Sequence, residues 1–252
     1  MGTLDPLASG VLPVGIGNAA RLFDYFLEKE KEYIAEFTFG VTSDTLDSTG
    51  ELVYGGDIPT AEEIANVLPT FFGDIMQVPP KYSAKNVNGK RGYDLARAGV
   101  DFELPAKQVR IYGIEVLEQI SGTAFRIKIN CGGGTYIRSL ARDIAKKLGT
   151  NAVMSALRRT KSGVFEIAQT IPFSLLEQDL PVEELEQYII PTEKTLPYPT
   201  LCMQGKEAIR FFNGIAVETD EKDGLYKIYK EDAFYGLAEV RNGKAKAKTK
   251  LC

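Results

Sequence analysis

The residue best placed to do chemistry is a single acid. Asp5 lies in Gly2 to Gly17, GTLDPLASGVLPVGIG, where no other side chain is charged. Pro6 pushes Asp5 out of the helical region toward an extended or turn conformation. Gly10, Pro13, Gly15 and Gly17 punctuate a mostly apolar run, so Asp5 is expected where a fixed loop meets a core. Asp-Pro is also an ordinary turn starter, and spacing alone leaves both readings open. The chain has no histidine. That removes Ser-His-Asp and Cys-His catalysis and imidazole metal sites, leaving acid–base work to carboxylates, Tyr, Lys or water.

A second candidate is a cation. FRIKINC, Phe125 to Cys131, alternates as a strand, and Gly132-Gly133-Gly134 ends it. A helix is expected from about Thr135, with Ile137, Leu140, Ala141, Ile144 and Leu148 as its buried stripe and Gly149 at its stop. Arg138 then stands in a first turn, where the helix dipole favours anions. A nearby carboxylate would resolve that conflict. The three glycines lack the Gly-Lys-Ser/Thr ending of a nucleotide loop, so a phosphate cradle is disfavoured.

Other elements follow from periodicity. Asn18 to Leu27 reads as a short helix, and YIAEFTFG, Tyr33 to Gly40, as a strand with Tyr33, Ala35, Phe37 and Phe39 on one face. DSTGE, Asp47 to Glu51, reads as a turn into a strand at Leu52 to Tyr54. Thr60 with Glu63 forms a capping box, and Pro69 should end or kink the helix it opens. Ser174 with Glu177 reads as a second box, opening an acidic helical stretch through Tyr188. Beyond a linker at Pro197 to Pro199, short apolar runs and Gly turns predict a small β-rich module, ending in a lysine-rich turn or tail.

Charge is segregated. The net charge is −4, yet Gln77 to Tyr112 holds seven basic residues against three acidic, and Arg138 to Lys161 seven against one. Local basic faces decide whether a phosphate backbone can dock. Gln77 to Val109 mixes Lys85, Lys90 and Arg97 with Tyr82, Tyr93 and Phe102, a composition suited to a loop gripping folded RNA. Its plainer reading is a surface loop with a short helix at Tyr93 to Ala98. Taken alone, Leu157 reads as core, Arg158-Arg159 as a solvated or phosphate-facing pair, and Tyr33 as a strand-edge core tyrosine. No apolar run reaches the eighteen residues of a membrane span, and no basic-then-apolar leader precedes Gly2. Cys131, Cys202 and Cys252 are far apart with no CxxC pair, so neither a disulfide scaffold nor a zinc site is expected and a reducing cytoplasm is the default.

GTLDPLASGVLPVGIGNAARL resembles the signature loop of the TruB-type tRNA pseudouridine synthases. VPPKYSAKNVNGKRGYDLARAG, CGGGTYIRSLARDIAKKLG and VMSALRRTK resemble that family's later blocks, in order. The resemblance implies an α+β pseudouridine synthase fold: a mixed, mainly antiparallel sheet with flanking helices, plus a small β-rich PUA-like C-terminal module. It implies a catalytic domain at 1–196, with an RNA-embracing insertion at 77–109, and a small domain at 197–252. It further implies Asp5 as the catalytic residue, Tyr33 stacking on the target base, Tyr136 and Arg138 lining the site, and Leu157 contacting the base. RNA would be held by Lys85, Lys90, Arg97, Arg158 and Arg159. An Arg138 paired to Asp5 would favour its ionised form. The implied activity is isomerisation of U55 in the tRNA T loop, in the cytoplasm, by a monomer without metal or cofactor.

One departure stands out. The family's Lys-Pro-x-Gly strand and His-containing segment would precede Gly2 and are absent here, which would leave part of the sheet unpaired. That absence motivates an alternative, a noncatalytic tRNA- or RNA-binding protein. A glycoside hydrolase would need a second acid beside Asp5, and an arginine there counts against it. A guide-RNA-dependent synthase of the dyskerin type is disfavoured by the small terminal module.

Overall fold

The computed structural model describes residues 2–27, 29–83, 86–87 and 90–251. The chain divides into two units, one of residues 2–13 and 26–170, the other of 14–25 and 171–252.

The first unit is built on alternation. Its elements are β1 (Ala8–Gly10), β2 (Lys31–Phe39), α1 (Ala61–Val67), β3 (Gly73–Gln77), β4 (Lys107–Gln119), β5 (Ala124–Cys131), α2 (Ile137–Lys147), β6 (Ala152–Ser162) and β7 (Phe165–Glu166). Among the described residues these strands form one seven-stranded sheet in the order β1-β6-β2-β5-β4-β3, with β7 also on β6. Only β1 lies parallel to its neighbour, so the sheet is mixed and mainly antiparallel.

In β2 and β5 every second side chain is buried. Tyr33 faces Ile129, Ala35 faces Ile127 and Phe37 faces Phe125 across the pair. Helices α1 and α2 cover this face with Ile64 and with Ile137, Leu140, Ala141 and Ile144. Each large apolar side chain buried there contributes about 1.5–3 kcal/mol. The opposite face of the sheet carries ion pairs, Glu32 to Lys128 and Glu36 to Arg126.

The Thr60–Glu63 capping box forms with both reciprocal bonds, and Pro69 follows the end of α1 in a 3₁₀ turn, Leu68–Phe71. The second expected box is corrected. The helix at Phe173–Leu176 starts two residues earlier, after Pro172, so Ser174 lies inside it and caps nothing. Pro181 opens a separate short helix at Val182–Glu186, so the acidic stretch is not continuous.

The second unit holds α3 (Gly205–Phe212) and the antiparallel strands β8 (Val217–Glu218), β9 (Gly224–Lys230), β10 (Ala233–Arg241) and β11 (Lys244–Lys250), ordered β8-β11-β10-β9. Phe211, Val217, Tyr226, Ile228 and Val240 form its core. Segment 14–25 is bound to the end of β11. Asn18 Nδ2 donates to Leu251 O and Arg21 Nη1 to Lys250 O, each at 2.8 Å, and Tyr25 bonds Thr249 at 2.8 Å. The lysine-rich end is therefore a strand rather than a tail. Lys244, Lys246, Lys248 and Lys250 alternate outward, and Lys248 bonds Glu239 of β10 at 2.7 Å.

Candidate active site

Asp5 is presented by a loop tied to the edge of the sheet. After Pro6 the chain turns, Ala8 N donating to Asp5 O at 2.8 Å. It then runs as β1 with Ala8, Ser9 and Gly10 opposite Leu157, Arg158 and Arg159. Gly10 has φ +103°, and a Cβ there would fall 2.2 Å from Arg159 O. Only glycine lets the loop pass so close to the strand.

Arg138 comes to the same place from α2. Tyr136, the residue before this helix, is extended and supplies no side-chain cap. Gln77 anchors that end instead, accepting from Tyr136 N at 2.8 Å and donating to Tyr136 O at 3.1 Å. Arg138 is 6% exposed. Its Nε donates to Asp5 Oδ2 at 2.8 Å and its Nη2 to Asp5 Oδ1 at 3.0 Å, a two-point ion pair. Nη1 donates to Thr45 O at 3.0 Å and lies 3.5 Å from Asp47 Oδ2, while Nη2 also reaches Tyr82 O at 3.1 Å. Four hydrogen bonds and the nearby Asp47 carboxylate thus take up the guanidinium, which makes burial of the charge affordable. The cation in the first turn is matched by acids, as its dipole conflict required.

Asp47 escaped the sequence reading. It is buried in the turn read there as a simple connection, and its Oδ1 accepts from Thr45 Oγ1 at 2.8 Å, Thr49 Oγ1 at 2.6 Å and Thr49 N at 3.0 Å. An acid flanked by hydroxyl residues, TLDST, is the signal that could have found it. Beside Asp5 itself stands Arg138, the arrangement that counts against paired-carboxylate glycoside hydrolysis.

Tyr33 and Leu157 are on one face of the sheet. Tyr33 is opposite Arg159 and Leu157 opposite Ala35, so the two are diagonal neighbours, each 7% exposed. Burial pushes the Tyr33 phenol up to about 12, against the opposing pull of Arg159. The Tyr136 phenol is likewise raised by burial, with the charges of Arg138 and Asp5 both acting on it.

The expected RNA cations differ in their surroundings. Arg97 lies over the Tyr93 ring at 5.2 Å, and Tyr93 packs edge-on to Tyr82 at 6.0 Å. Lys85 lies outside the described residues, and Lys90 is described by its backbone alone, paired with Val87. Arg158 is exposed. Arg159 is not: it is 1% exposed, and strand alternation turns it inward, so it presents no surface to an RNA backbone. Among the described residues no three His, Cys, Asp or Glu side chains gather as a metal set, and no helix is long and apolar enough to cross a membrane.

Known proteins resemble this chain along most of its length. Residues 1–137 match the TruB family pseudouridylate synthase N-terminal domain, and residues 138–197 match the tRNA pseudouridylate synthase B C-terminal domain. The tRNA pseudouridine synthase B of Caulobacter vibrioides is 36% identical, over 96% of this chain and 83% of its own length. That of Francisella philomiragia is 39% identical, over 96% of this chain and 82% of its own. Among solved structures, a chain of a Cbf5-Nop10-Gar1 complex has a TM-score of 0.69 at 27% identity, covering all of this chain and 75% of that one. An H/ACA RNP bound to a substrate RNA containing 2′-deoxyuridine gives 0.68 at 25%, again covering all of this chain and 75% of the other. With the N-terminal family model matching more than half of it and relatives of 36–39% identity along most of its length, this chain belongs to the TruB family of pseudouridylate synthases.

Proposed function

We propose that the chain converts U55 in the T loop of tRNA to pseudouridine, with Asp5 as its catalytic carboxylate. The observation that carries this reading is the two-point pairing of Asp5 with the buried Arg138, next to Tyr33, Tyr136 and Leu157. The reaction breaks the C1′–N1 bond, turns the freed uracil and joins C5 to C1′. One proton leaves C5 and one is gained at N1, so no atom is added or lost. The chain must supply negative charge at the sugar–base junction, walls that retain the loose base, and an acceptor for the C5 proton.

Asp5 meets the first need. Arg138 fixes the aim of its carboxylate by holding both oxygens, the kind of placement on which reactivity depends steeply. Tyr33 offers a ring for the base to stack on, with Tyr136 and Leu157 as the remaining walls. A uridine inside a folded T loop must be flipped out at a cost of about a few kcal/mol, offset by stacking and by phosphate contacts. Arg97, Arg158, Lys85 and Lys90 supply those contacts, in a monomer working in the cytoplasm without a metal. The test uses unmodified tRNA transcript and mass spectrometry. Pseudouridine should form at position 55 and be lost in Asp5→Asn, with tRNA binding retained. An active Asn variant overturns the role of Asp5. Salt-sensitive tRNA binding by the unaltered chain with no modified base establishes the noncatalytic alternative instead.

A further inference from the structure

Arg159 is, among the described residues, the bulkiest side chain fully withdrawn from solvent. A guanidinium is costly to bury unless its donors are taken up. Here two of its donors go to the main chain of one loop, and the side chain also hydrogen-bonds the Tyr33 phenol. Nε donates to Val11 O at 2.7 Å and Nη2 to Gly2 O at 3.2 Å. Val11 N in turn donates to Arg159 O at 2.8 Å, so Arg159 holds Val11 by both of its peptide groups. Gly2 and Val11 are the two ends of the loop that carries Asp5. Between them, among the described residues, the backbone bonds are those of the turn at Asp5–Ala8 and of the short strand β1.

We propose that Arg159 is a positioning residue for Asp5. Its planar fork fastens both ends of the loop, so that the carboxylate arrives with both oxygens on Arg138. This rests on the reading of Asp5 as the catalytic carboxylate. A lysine keeps the charge but cannot reproduce a rigid fork spanning two carbonyls. A displacement of about 1 Å at a reacting group costs on the order of 100-fold in rate. Gly10 reaches the same loop from its other side, because a Cβ there would collide with Arg159 O.

The experiment compares Arg159→Lys, Gly10→Ala and the double variant in the full chain with tRNA transcript. It reads the single-turnover rate at saturating tRNA, tRNA affinity by filter binding, and amide hydrogen exchange by mass spectrometry. Arg159→Lys should slow the chemical step about 100-fold. Affinity should hold, and exchange should quicken over residues 3–11 but not in α2 or β5. The double variant should be little slower than the worse single one, since both act through one loop. Unchanged exchange and rate would overturn the proposal. So would a loss of tRNA affinity at an unchanged rate, or faster exchange throughout the unit, the signs of an RNA contact or of a purely structural role. If Arg159→Lys does not fold, Gly10→Ala carries the same readouts. Loop exchange needs no turnover, so a failure of the functional reading would be visible separately, as an inactive unaltered chain.

Discussion

Two arginines on opposite faces of one sheet are each held between two acids. On the outer face Arg126 bonds Glu36 at 2.9 Å and also Glu118, with its side chain 36% exposed. On the inner side Arg138 bonds Asp5 and Asp47 with its side chain 6% exposed. The pairing chemistry is the same, and the surroundings decide what it does. Water and salt compete for the outer trio, which holds its strands together only weakly. In the inner trio Arg138 and Asp47 are withdrawn from solvent, at 6% and 5% exposed, while Asp5 stays open at 32%, so it is the guanidinium and Asp47 that must satisfy each other. The outer guanidinium shares its charge with water, and the inner one with its acids and two main-chain carbonyls.

The contrast is tested most severely by Arg138→Met. The buried Asp47 is then left without its cation, and the first unit should lose about 3–5 kcal/mol in urea denaturation followed by circular dichroism. Pseudouridine formation should fall by about 10²–10³-fold or more, with a stable unit or a wild-type rate breaking the comparison.

Next in size is a pH effect on the inner face. Below pH 10 the Tyr33 phenol is neutral in both folded and unfolded chains. Because burial raises it to about 12 when folded, the unfolded chain ionises first and stability falls between pH 10 and about 12. The loss should be roughly 3 kcal/mol, read as urea midpoints across that window, and Tyr33→Phe should remove it.

A smaller effect is expected at Gln77, which pairs with both peptide groups of Tyr136. Gln77→Leu leaves the Tyr136 N–H unmet at the start of α2, its C=O keeping the bond from Leu140 N, and should cost about 2 kcal/mol by the same assay. Smallest of all is Arg126→Ala on the outer face. Its melting temperature and turnover should match the unaltered chain within error, and a clear drop in either would erase the distinction between the two trios.

Much of the inner arrangement could be read from residue order. Arg138 in a first helical turn demanded an acid, and Asp5 was isolated enough to be noticed. The strand at Tyr33 and the strand before the glycines announced themselves by clean alternation. β6 did not, because bulges at Met154/Ala156 and Arg159/Lys161 break its period and both of its faces are partly covered. β4 was hidden in the same way, by shifts near Gly113 and Leu117. Asp47 looked like any acid in a turn, since its worth depends on a guanidinium 91 positions away. The Arg158-Arg159 pair could not be divided without knowing which neighbour faced the loop. Each of these misses concerns a partner distant in sequence, where local propensity is silent.

The division of the chain itself has a practical consequence. Residues 14–25 leave the Asp5 loop and join the unit that otherwise begins at residue 171. Asn18, Arg21 and Tyr25 there hold the end of β11 and the residue after it, at 249–251. No single cut yields the smaller unit whole. A fragment starting at 171 would be born without one of its own pieces, and trimming the last few residues would release a tether only a few positions downstream of Asp5.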